Sequence, residues 1–271
     1  MSAPMVPEGA TTEIAPGVHV VPDQRIEFVP NAGIVVGERA ALVIDTAMGP
    51  ANGERILREA RGVAGELPLI LTTTHFHPEH AFGAQAFAGA ATYVCNRAQA
   101  GELAAKGREY VEMFSGFGPA LEELLRDVEL MAPHVVYGDE ATIDLGGIAV
   151  ELRHFGVAHT RGDQVAFIPE GRILFTGDLV EERFLPIFPD EDADGPLWLG
   201  VLDELEALEP AIVVPGHGAV GDTGLIAALR EYLHAVRDGA QEPELADRYA
   251  DWDNQMWITS AIESFARARA R

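Results

Sequence analysis

The chain has 271 residues, of which 48% are hydrophobic, and carries a formal net charge of -24. This length can bury a substantial core, and the acidity disfavours nucleic acid and anionic membranes as partners, because both attract basic surfaces. The single cysteine, Cys95, leaves no partner for an intrachain disulfide. The sequence shows neither an apolar run of membrane-spanning length nor the basic and apolar segments of a signal peptide. We therefore expect a cytoplasmic protein that acts on a small molecule, with no nucleic-acid or membrane partner.

Short strand-like segments dominate the first part of the chain. Residues 1–12 are rich in proline and small side chains, so we expect a loose N-terminal arm there. Apolar runs bounded by turn residues then predict three strands, at Val18–Val21, Ala32–Val36 and Ala41–Ile44. The third run leads directly into Asp45. This carboxylate is either solvated at the end of its strand or hydrogen-bonded to a metal-binding histidine, as such groups commonly are.

A dense metal-binding pattern follows the next buried run, residues 67–71, which comes after a predicted helix over 49–65. Within six residues this turn offers four donor side chains: His75, His77, Glu79 and His80. Alternate positions of an extended turn direct the first two histidines to the same side, where they can hold one ion. The other two donors can reach the same ion or a neighbouring one. Imidazole suits zinc, copper, iron and nickel, a nearby carboxylate suits a hydrolytic site, and open α/β sheets usually bind ligands at strand ends.

A largely helical, amphipathic stretch covers residues 97–133 and is interrupted near Gly116. It is either a helical hairpin that packs on the core or a lid that carries Tyr110 and Phe114 over the metal site. The two interpretations are compatible with each other.

The second half of the chain repeats this arrangement, with strands that end in donor side chains. His159 lies in a turn after one predicted strand, Asp178 ends a strand of a hairpin, and His217 follows the next strand. Together with the first cluster, four strand ends offer metal-binding groups, and such a set can hold two ions bridged by a carboxylate. The remainder, about 222–271, is predicted to form C-terminal helices whose apolar stripe packs in the core or in a homodimer contact.

This combination resembles the metallo-β-lactamase-fold superfamily, in its general branch of glyoxalase II-like and lactonase-like hydrolases. Four motifs carry the resemblance, in the family's order: His75-x-His77-x-Glu79-His80, Ala158-His159-Thr160-x-Gly162-Asp163, Thr176-Gly177-Asp178 and Pro215-Gly216-His217-Gly218. The resemblance implies an α/β fold, a four-layer αββα sandwich of two mixed β-sheets flanked by helices. It also implies that 1–271 is a single domain, with 97–133 as a helical insertion.

The same resemblance implies which residues hold metal. It implies two ion sites that share Asp178: His75, His77 and His159 around one, and Glu79, His80 and His217 around the other. Asp45 resembles the carboxylate with which the family orients a ligand. The expected cofactor is zinc, with two ions per chain, and iron or manganese, which some relatives use, stay open.

Glu79 departs from the family pattern, which usually has aspartate at this position. Glutamate keeps the charge but is one methylene longer. It can ligate the second ion from a shifted position, or it can weaken that site and leave a mononuclear enzyme in which Glu79 accepts a proton. We favour two ions.

The expected function is hydrolysis by a metal-bound hydroxide, with Glu79 or Asp178 moving the proton. We favour a small, partly apolar ester, lactone, thioester or lactam as substrate, because no basic cluster marks a nucleic-acid site and aromatic side chains can wall a pocket. The predicted pocket residues are Tyr110, Phe114, Phe184 and Phe188. Two alternatives stay open: an iron-dependent dioxygenase on the same fold, and a catalytically silent module that binds metal or ligand.

Overall fold

Two β-sheets stacked face to face form the centre of the fold. The computed structural model describes residues 3–189 and 192–269. Within these residues the first sheet has seven strands, adjacent in chain order: β1 (Thr12–Ala15), β2 (Val18–Val21), β3 (Ala32–Val36), β4 (Ala41–Ile44), β5 (Leu69–Thr72), β6 (Ala91–Asn96) and β7 (Val135–Tyr137). The second sheet has five: β8 (Glu140–Asp144), β9 (Ala149–Arg153), β10 (Val165–Ile168), β11 (Ile173–Gly177) and β12 (Ile212–Pro215). Both sheets contain parallel and antiparallel pairs, so the prediction of two mixed sheets is confirmed.

Helices cover the outer faces of both sheets. The described part of the chain contains eight α-helices: α1 (Gly49–Ala64), α2 (Pro78–Ala81), α3 (Arg97–Ser115), α4 (Pro119–Leu125), α5 (Gly195–Ala207), α6 (Thr223–Arg237), α7 (Glu242–Arg248) and α8 (Ile258–Arg269). Helix α1 packs on the first sheet, whereas α5, α6 and α8 pack on the second. The layers are therefore helix, sheet, sheet and helix, which confirms the predicted αββα sandwich.

The alternation of side chains along buried strands explains these layers, because successive residues of a strand point to opposite faces. In β4, Ala41 and Val43 pack toward α1, whereas Leu42 and Ile44 fill the space between the sheets. All four residues are buried, and a strand covered on both faces is expected to be apolar throughout. Strand β10 divides its side chains in the same way between the outer helices and the other sheet.

Parallel pairing brings the functional strand ends to one edge of the sandwich. Strand β4 pairs with β5, and β11 pairs with β12, in parallel, so the carboxyl ends of each pair lie side by side. Asn31 and Gln164 link the two sheets at this edge. The Asn31 amide donates to the carbonyls of Pro215 and Gly218, and Gln164 Nε2 donates to the Thr72 hydroxyl. The loops that leave these strand ends therefore meet between the two sheets.

The N-terminal segment differs from the loose arm expected for 1–12. Val6 is buried in the core beside α1, and its N–H donates to Asn52 Oδ1 at 2.8 Å. The N–H of Gly9 donates to Glu59 Oε1 at 2.7 Å. Polar side chains on α1 thus satisfy the backbone of this segment and hold it against the helix. The first two residues of the chain lie outside the described part.

The predicted helical stretch 97–133 consists of α3 and α4, and its last part is not helical. After α4 ends at Leu125, Gln85 holds the chain in an irregular path. The Gln85 amide donates to the Asp127 carbonyl at 3.0 Å, and its own carbonyl accepts the Glu129 N–H. A side chain from another part of the chain thus supplies the hydrogen bonds that a continued helix would have made.

The C-terminal region predicted at about 222–271 contains α6, α7 and α8 and a short 3-10 helix at Gln255–Trp257. Residues 270 and 271 lie outside the described part. Across the described ranges, 3–189 and 192–269, no helix is both long and apolar enough to cross a membrane.

Candidate metal centre

The turn after β5 is held in place by Asp45, which ends the neighbouring strand β4. Asp45 Oδ1 accepts the Thr74 N–H at 2.7 Å, and Oδ2 accepts the Thr74 hydroxyl at 3.0 Å. The Asp45 backbone lies in the left-handed region, with φ of 67°, a conformation that aspartate adopts more readily than most residues. Asp45 therefore fixes the start of the histidine-rich turn.

Three histidines from two loops bring their ring nitrogens together. His77 Nδ1 lies 3.0 Å from His75 Nε2 and 3.0 Å from His159 Nε2. The first two come from the turn after β5, and the third from the loop between β9 and β10. Burial, reinforced by the neighbouring imidazoles, holds the pKa of His75 and His77 well below the usual range. Both rings are therefore neutral, which is the form that binds a metal.

A second group combines two carboxylates with two histidines. Glu79, His80, Asp178 and His217 each offer one donor atom, and these atoms lie within 4.8 Å of one another. Asp178 Oδ1 is 3.1 Å from His80 Nε2 and 3.7 Å from His217 Nε2. The other oxygen, Oδ2, faces the first group, at 3.9 and 3.8 Å from two of its ring nitrogens. Asp178 thus lies between the two groups, with one oxygen toward each.

Polar groups behind the histidines hold the ring nitrogens that face away from the centre. His80 Nδ1 lies 2.9 Å from Asp45 Oδ2, and His159 Nδ1 lies 2.9 Å from the Ile187 carbonyl oxygen. Metal-binding histidines commonly make such bonds, which fix the tautomer and aim the other nitrogen. Of the two interpretations for Asp45, the structure shows the hydrogen-bonded one, because this carboxylate is buried rather than solvated.

Burial and charge act against each other in the second group. Burial favours neutral His80, but the carboxylates of Asp178 and Asp45 outweigh it and hold the pKa of His80 well above its usual range. Burial raises the pKa of Glu79 to about 7, although His80 opposes this shift. Burial also disfavours ionised Asp178, yet His80 and His217 hold its pKa well below the usual range. The metal-free protein therefore contains a buried ion pair, protonated His80 and ionised Asp178, where a cation would bind.

Unpartnered polar atoms support this interpretation. Buried polar atoms normally have hydrogen-bond partners, but among the described residues Glu79 Oε2 and both side-chain oxygens of Asp178 have none. His80 Nε2 is close to Asp178 but is not aligned for a hydrogen bond. Imidazole and carboxylate are also the ligands that zinc prefers alongside thiolate. The residues present therefore fit one cation in each group.

A row of aromatic rings connects the first histidine group with the surface. Tyr110 of α3 stacks on His77, with ring centroids 5.2 Å apart. Phe114 stacks on Tyr110 at 6.2 Å, and Phe117 lies 5.1 Å from Phe114. Phe117 is 56% exposed. The stretch predicted as a hairpin or lid thus packs on the core and places the Tyr110 ring over His77. Its movement as a lid stays a prediction.

The other two predicted pocket residues differ in their placement. Phe184 is half-buried and packs beside His217, with ring centroids 5.8 Å apart. Phe188 is instead buried in the core under α5, where its ring packs on Trp198 at 5.3 Å. Trp198 in turn lies 5.6 Å from the ring of His159. Phe188 therefore stands behind a histidine of the centre instead of lining an open pocket.

One buried carboxylate in the turn beside the His217 loop, Glu181, was not predicted from the sequence. Its side chain is 4% exposed, and its Oε1 has no hydrogen-bond partner among the described residues. Burial, followed by the charge of Asp178, raises its pKa well above the usual range. The Glu181-Glu182 pair gives no indication in sequence of which carboxylate is buried, so only the spacing of three residues from Asp178 could have pointed to it.

An αββα sandwich that gathers two histidine-rich donor groups at the edge between its sheets defines a class, the metal-dependent hydrolases of this fold. The sequence agrees: the family model described as "Metallo-beta-lactamase superfamily" matches residues 25–217. The chain belongs to the metallo-β-lactamase superfamily. The prediction of a hydrolase with this fold is thereby confirmed.

Two curated relatives and one solved structure show the range of this similarity. A metallo-β-lactamase type 2 from Bacteroides fragilis is 27% identical over 221 residues, covering 80% of this chain and 80% of that protein. A linear primary-alkylsulfatase from a Pseudomonas species is 23% identical over 212 residues, covering 65% of this chain but only 39% of that protein. The structure of a metallo-β-lactamase from Pontibacter korlensis has a TM-score of 0.66 at 22% identity, covering 83% of this chain and 98% of the other.

Proposed function

We propose that this protein is a dinuclear zinc hydrolase that cleaves a small, partly apolar ester, lactone, thioester or lactam. The position of Asp178 carries the proposal, because its two oxygens face the two donor groups. A carboxylate placed in this way can bridge the two ions of a two-metal hydrolytic centre. Glu79 stays within the second group despite its extra methylene, which supports two ions instead of one.

The chain's own residues have defined roles in this proposal. Zinc at such a centre lowers the pKa of a bound water toward neutrality and polarises the scissile carbonyl. Asp178 lies between the two groups, and its Oδ2, which has no hydrogen-bond partner among the described residues, can accept the proton of the attacking water. Glu79 is the second carboxylate that can move a proton. Asp45 keeps His80 in the tautomer whose Nε2 lone pair faces the centre.

The surroundings of the centre support a substrate with an apolar part. Tyr110 stacks on His77, Phe114 stacks on Tyr110, and Phe184 packs beside His217; we propose that these rings contact the apolar part of the substrate. The names of the two curated relatives point to lactams and to alkyl sulfate esters, which both join a polar reacting group to an apolar remainder. The net charge of -24 supports a small-molecule partner over nucleic acid or an anionic membrane. A homodimer through the C-terminal helices stays a prediction.

Metal content tests the dinuclear centre. We would determine zinc, iron and manganese by elemental analysis in the unaltered protein, in Glu79→Asp, and in Glu182→Asp as a matched control outside both donor groups. About two zinc ions per chain in all three proteins is the expected result. One ion in the unaltered protein that rises to two in Glu79→Asp would overturn the dinuclear form and favour a mononuclear site.

A substrate panel tests the reaction. The zinc-loaded protein would be assayed with an aryl ester, a γ-lactone, an acyl thioester, a β-lactam and a primary alkyl sulfate. Turnover of at least one of the first four, abolished in His159→Ala, is expected. Hydrolysis of the alkyl sulfate alone would correct the substrate class. Bound iron with substrate-dependent oxygen uptake would replace the hydrolase by a dioxygenase, and a completely negative panel would favour the silent binding module.

A further inference from the structure

The three histidines of the first donor group come from two loops that belong to different sheets, so the fold must hold these loops together. His75 and His77 follow β5 in the first sheet, and His159 lies between β9 and β10 in the second. One link lies at the base of the His159 loop, where the Gln164 N–H donates to the Thr74 carbonyl at 2.8 Å. This bond leaves the part of the loop that carries the histidine to be held by other contacts.

The segment between β11 and α5 supplies contacts of this kind. The Ile187 carbonyl oxygen lies 2.9 Å from His159 Nδ1. Further along the same segment, the Asp194 N–H donates to the Ala158 carbonyl at 2.9 Å. Backbone groups of this segment therefore hold both the imidazole ring and the residue before it.

Asp192, in the same segment, connects the His159 loop with helix α3. Its Oδ1 forms an ion pair with Arg161, two residues after His159, and its Oδ2 forms one with Lys106 of α3. Hydrogen bonding to Arg161, and also to Lys106, outweighs the effect of burial and lowers the pKa of Asp192 to about 2. The carboxylate is only 13% exposed, so solvent screens these pairs less than it screens those of an open surface.

On the other side, Lys106 contacts the residues that pack on the histidine turn. Its Nζ lies 5.7 Å from the centroid of the Phe76 ring. One helical turn further along α3, the Tyr110 ring packs on Phe76 at 4.9 Å and on His77 at 5.2 Å. Helix α3 thus reaches the first donor group through two rings, and Asp192 joins this helix to the other loop of the same group.

We propose that Asp192 is a positioning residue for the first metal site, where it fixes the spacing between the two loops that supply the three histidines. Without this bridge the loops are less well ordered before the ion binds. Binding must then order them, and the cost of ordering lowers the affinity. The inference rests on the two metal sites of the proposed function, but it concerns how the first site is assembled and does not depend on the substrate.

Zinc affinity tests this role. The Kd of each ion would be measured on the full-length protein by titration against a competing chelator, with His159→Ala and His217→Ala to assign the first and the second site. Asp192→Asn should weaken the first site by about three- to tenfold, the size expected of partly buried ion pairs, and leave the second within about twofold. Glu206→Gln removes a carboxylate that pairs with Arg230 between α5 and α6; it is the matched control and should change neither site.

The two partners of Asp192 distinguish a bridge from two independent contacts. Lys106→Met and Arg161→Gln each break a bridge, so each should weaken the first site about as much as Asp192→Asn does. The double variant should then bind zinc no more weakly than either single variant, whereas two independent contributions would add. Lys106→Arg, which keeps the charge on α3, should retain most of the affinity.

The outcomes separate this inference from the proposed function. Losses that add in the double variant overturn the role of Asp192 and leave the hydrolase proposal standing, as does an unchanged first site or equal weakening of both sites in Asp192→Asn. The Arg161 side chain is 61% exposed, so Arg161→Gln decides the question even where Asp192→Asn does not fold. An unaltered protein that takes up no metal overturns the proposed function itself, together with everything that rests on it.

Discussion

Replacing Asp45 by asparagine should weaken the second metal site more than the first. Asp45 Oδ2 accepts from His80 Nδ1 at 2.9 Å, and the same side chain accepts two bonds from Thr74. An amide has one oxygen, so if that oxygen keeps the Thr74 N–H, the amide nitrogen faces His80 Nδ1. The ring must then accept at Nδ1 and carry its proton on Nε2, the atom that faces Asp178.

The size of the effect follows from the burial of the pair. Asp45 and His80 are at most 2% exposed, so their bond is a desolvated, charge-assisted one worth about 1.5–3 kcal/mol. Since 1.4 kcal/mol corresponds to about a factor of ten, affinity at the second site should fall roughly ten- to hundredfold, as it does for other groups behind metal ligands. The first site should lose less affinity than the second. Asp45 contacts its histidines only through the Thr74 hydroxyl, which lies 3.1 Å from His75 Nδ1.

A zinc titration against a competing chelator would measure the two binding steps separately. Asp163→Asn is the matched control: this carboxylate is also buried, but it accepts bonds from Thr160 in the loop of His159. Any loss of zinc affinity in Asp163→Asn should occur at the first site. Equal weakening of both sites in Asp45→Asn, in a protein that is folded by circular dichroism, would refute the reasoning.

Two further predictions concern the same centre. Gly216→Ala should lose the second ion and destabilise the protein by roughly 1–3 kcal/mol, because the new Cβ would lie 2.0 Å from Asp178 Oδ1; metal analysis and urea unfolding would test this. In the metal-free protein Glu79 has a folded pKa of about 7 against an ordinary 4.5, so its contribution to stability is full below pH 4.5 and is lost as pH rises through 7. Metal-free Glu79→Gln should therefore exceed the metal-free parent by up to about 3 kcal/mol at pH 8 and match it near pH 4; a constant difference across this range would contradict the shift.

The strands around the centre could be predicted because buried strands consist of short runs of apolar residues that are recognisable in the sequence. Strands β2, β3 and β4 have the predicted bounds. In β4 the reason is clearest, because this strand is buried on both faces, is apolar from Ala41 to Ile44 and ends directly before Asp45. The donor groups could be predicted for the same reason, because a polar residue directly after a buried strand lies at the edge of the sheet. Parallel pairing then brings these edges together without any further information in the local sequence.

The failures of prediction have a common physical cause, a partner far away in the chain. The N-terminal segment is held by Asn52 and Glu59, more than forty residues away. Phe188 is drawn into the core by Trp198, and Glu181 is buried because the loop of His217 clamps its backbone. Composition and periodicity describe a residue's own segment, so they carry no information about contacts of this kind.

The distribution of donors between the two halves suggests why the protein tolerates so much buried charge. The first half contributes four of the predicted ligands and Asp45, and the second half contributes His159, Asp178 and His217. Without metal, the fold must hold these carboxylates and imidazoles together at the expense of their solvation, as the raised pKa of Glu79 and the lowered pKa of His75 show. Two divalent cations would compensate these groups and tie the sheets together at the edge where they meet. Metal binding and folding are then linked, and the same edge that limits the stability of the metal-free protein is the one that performs the chemistry.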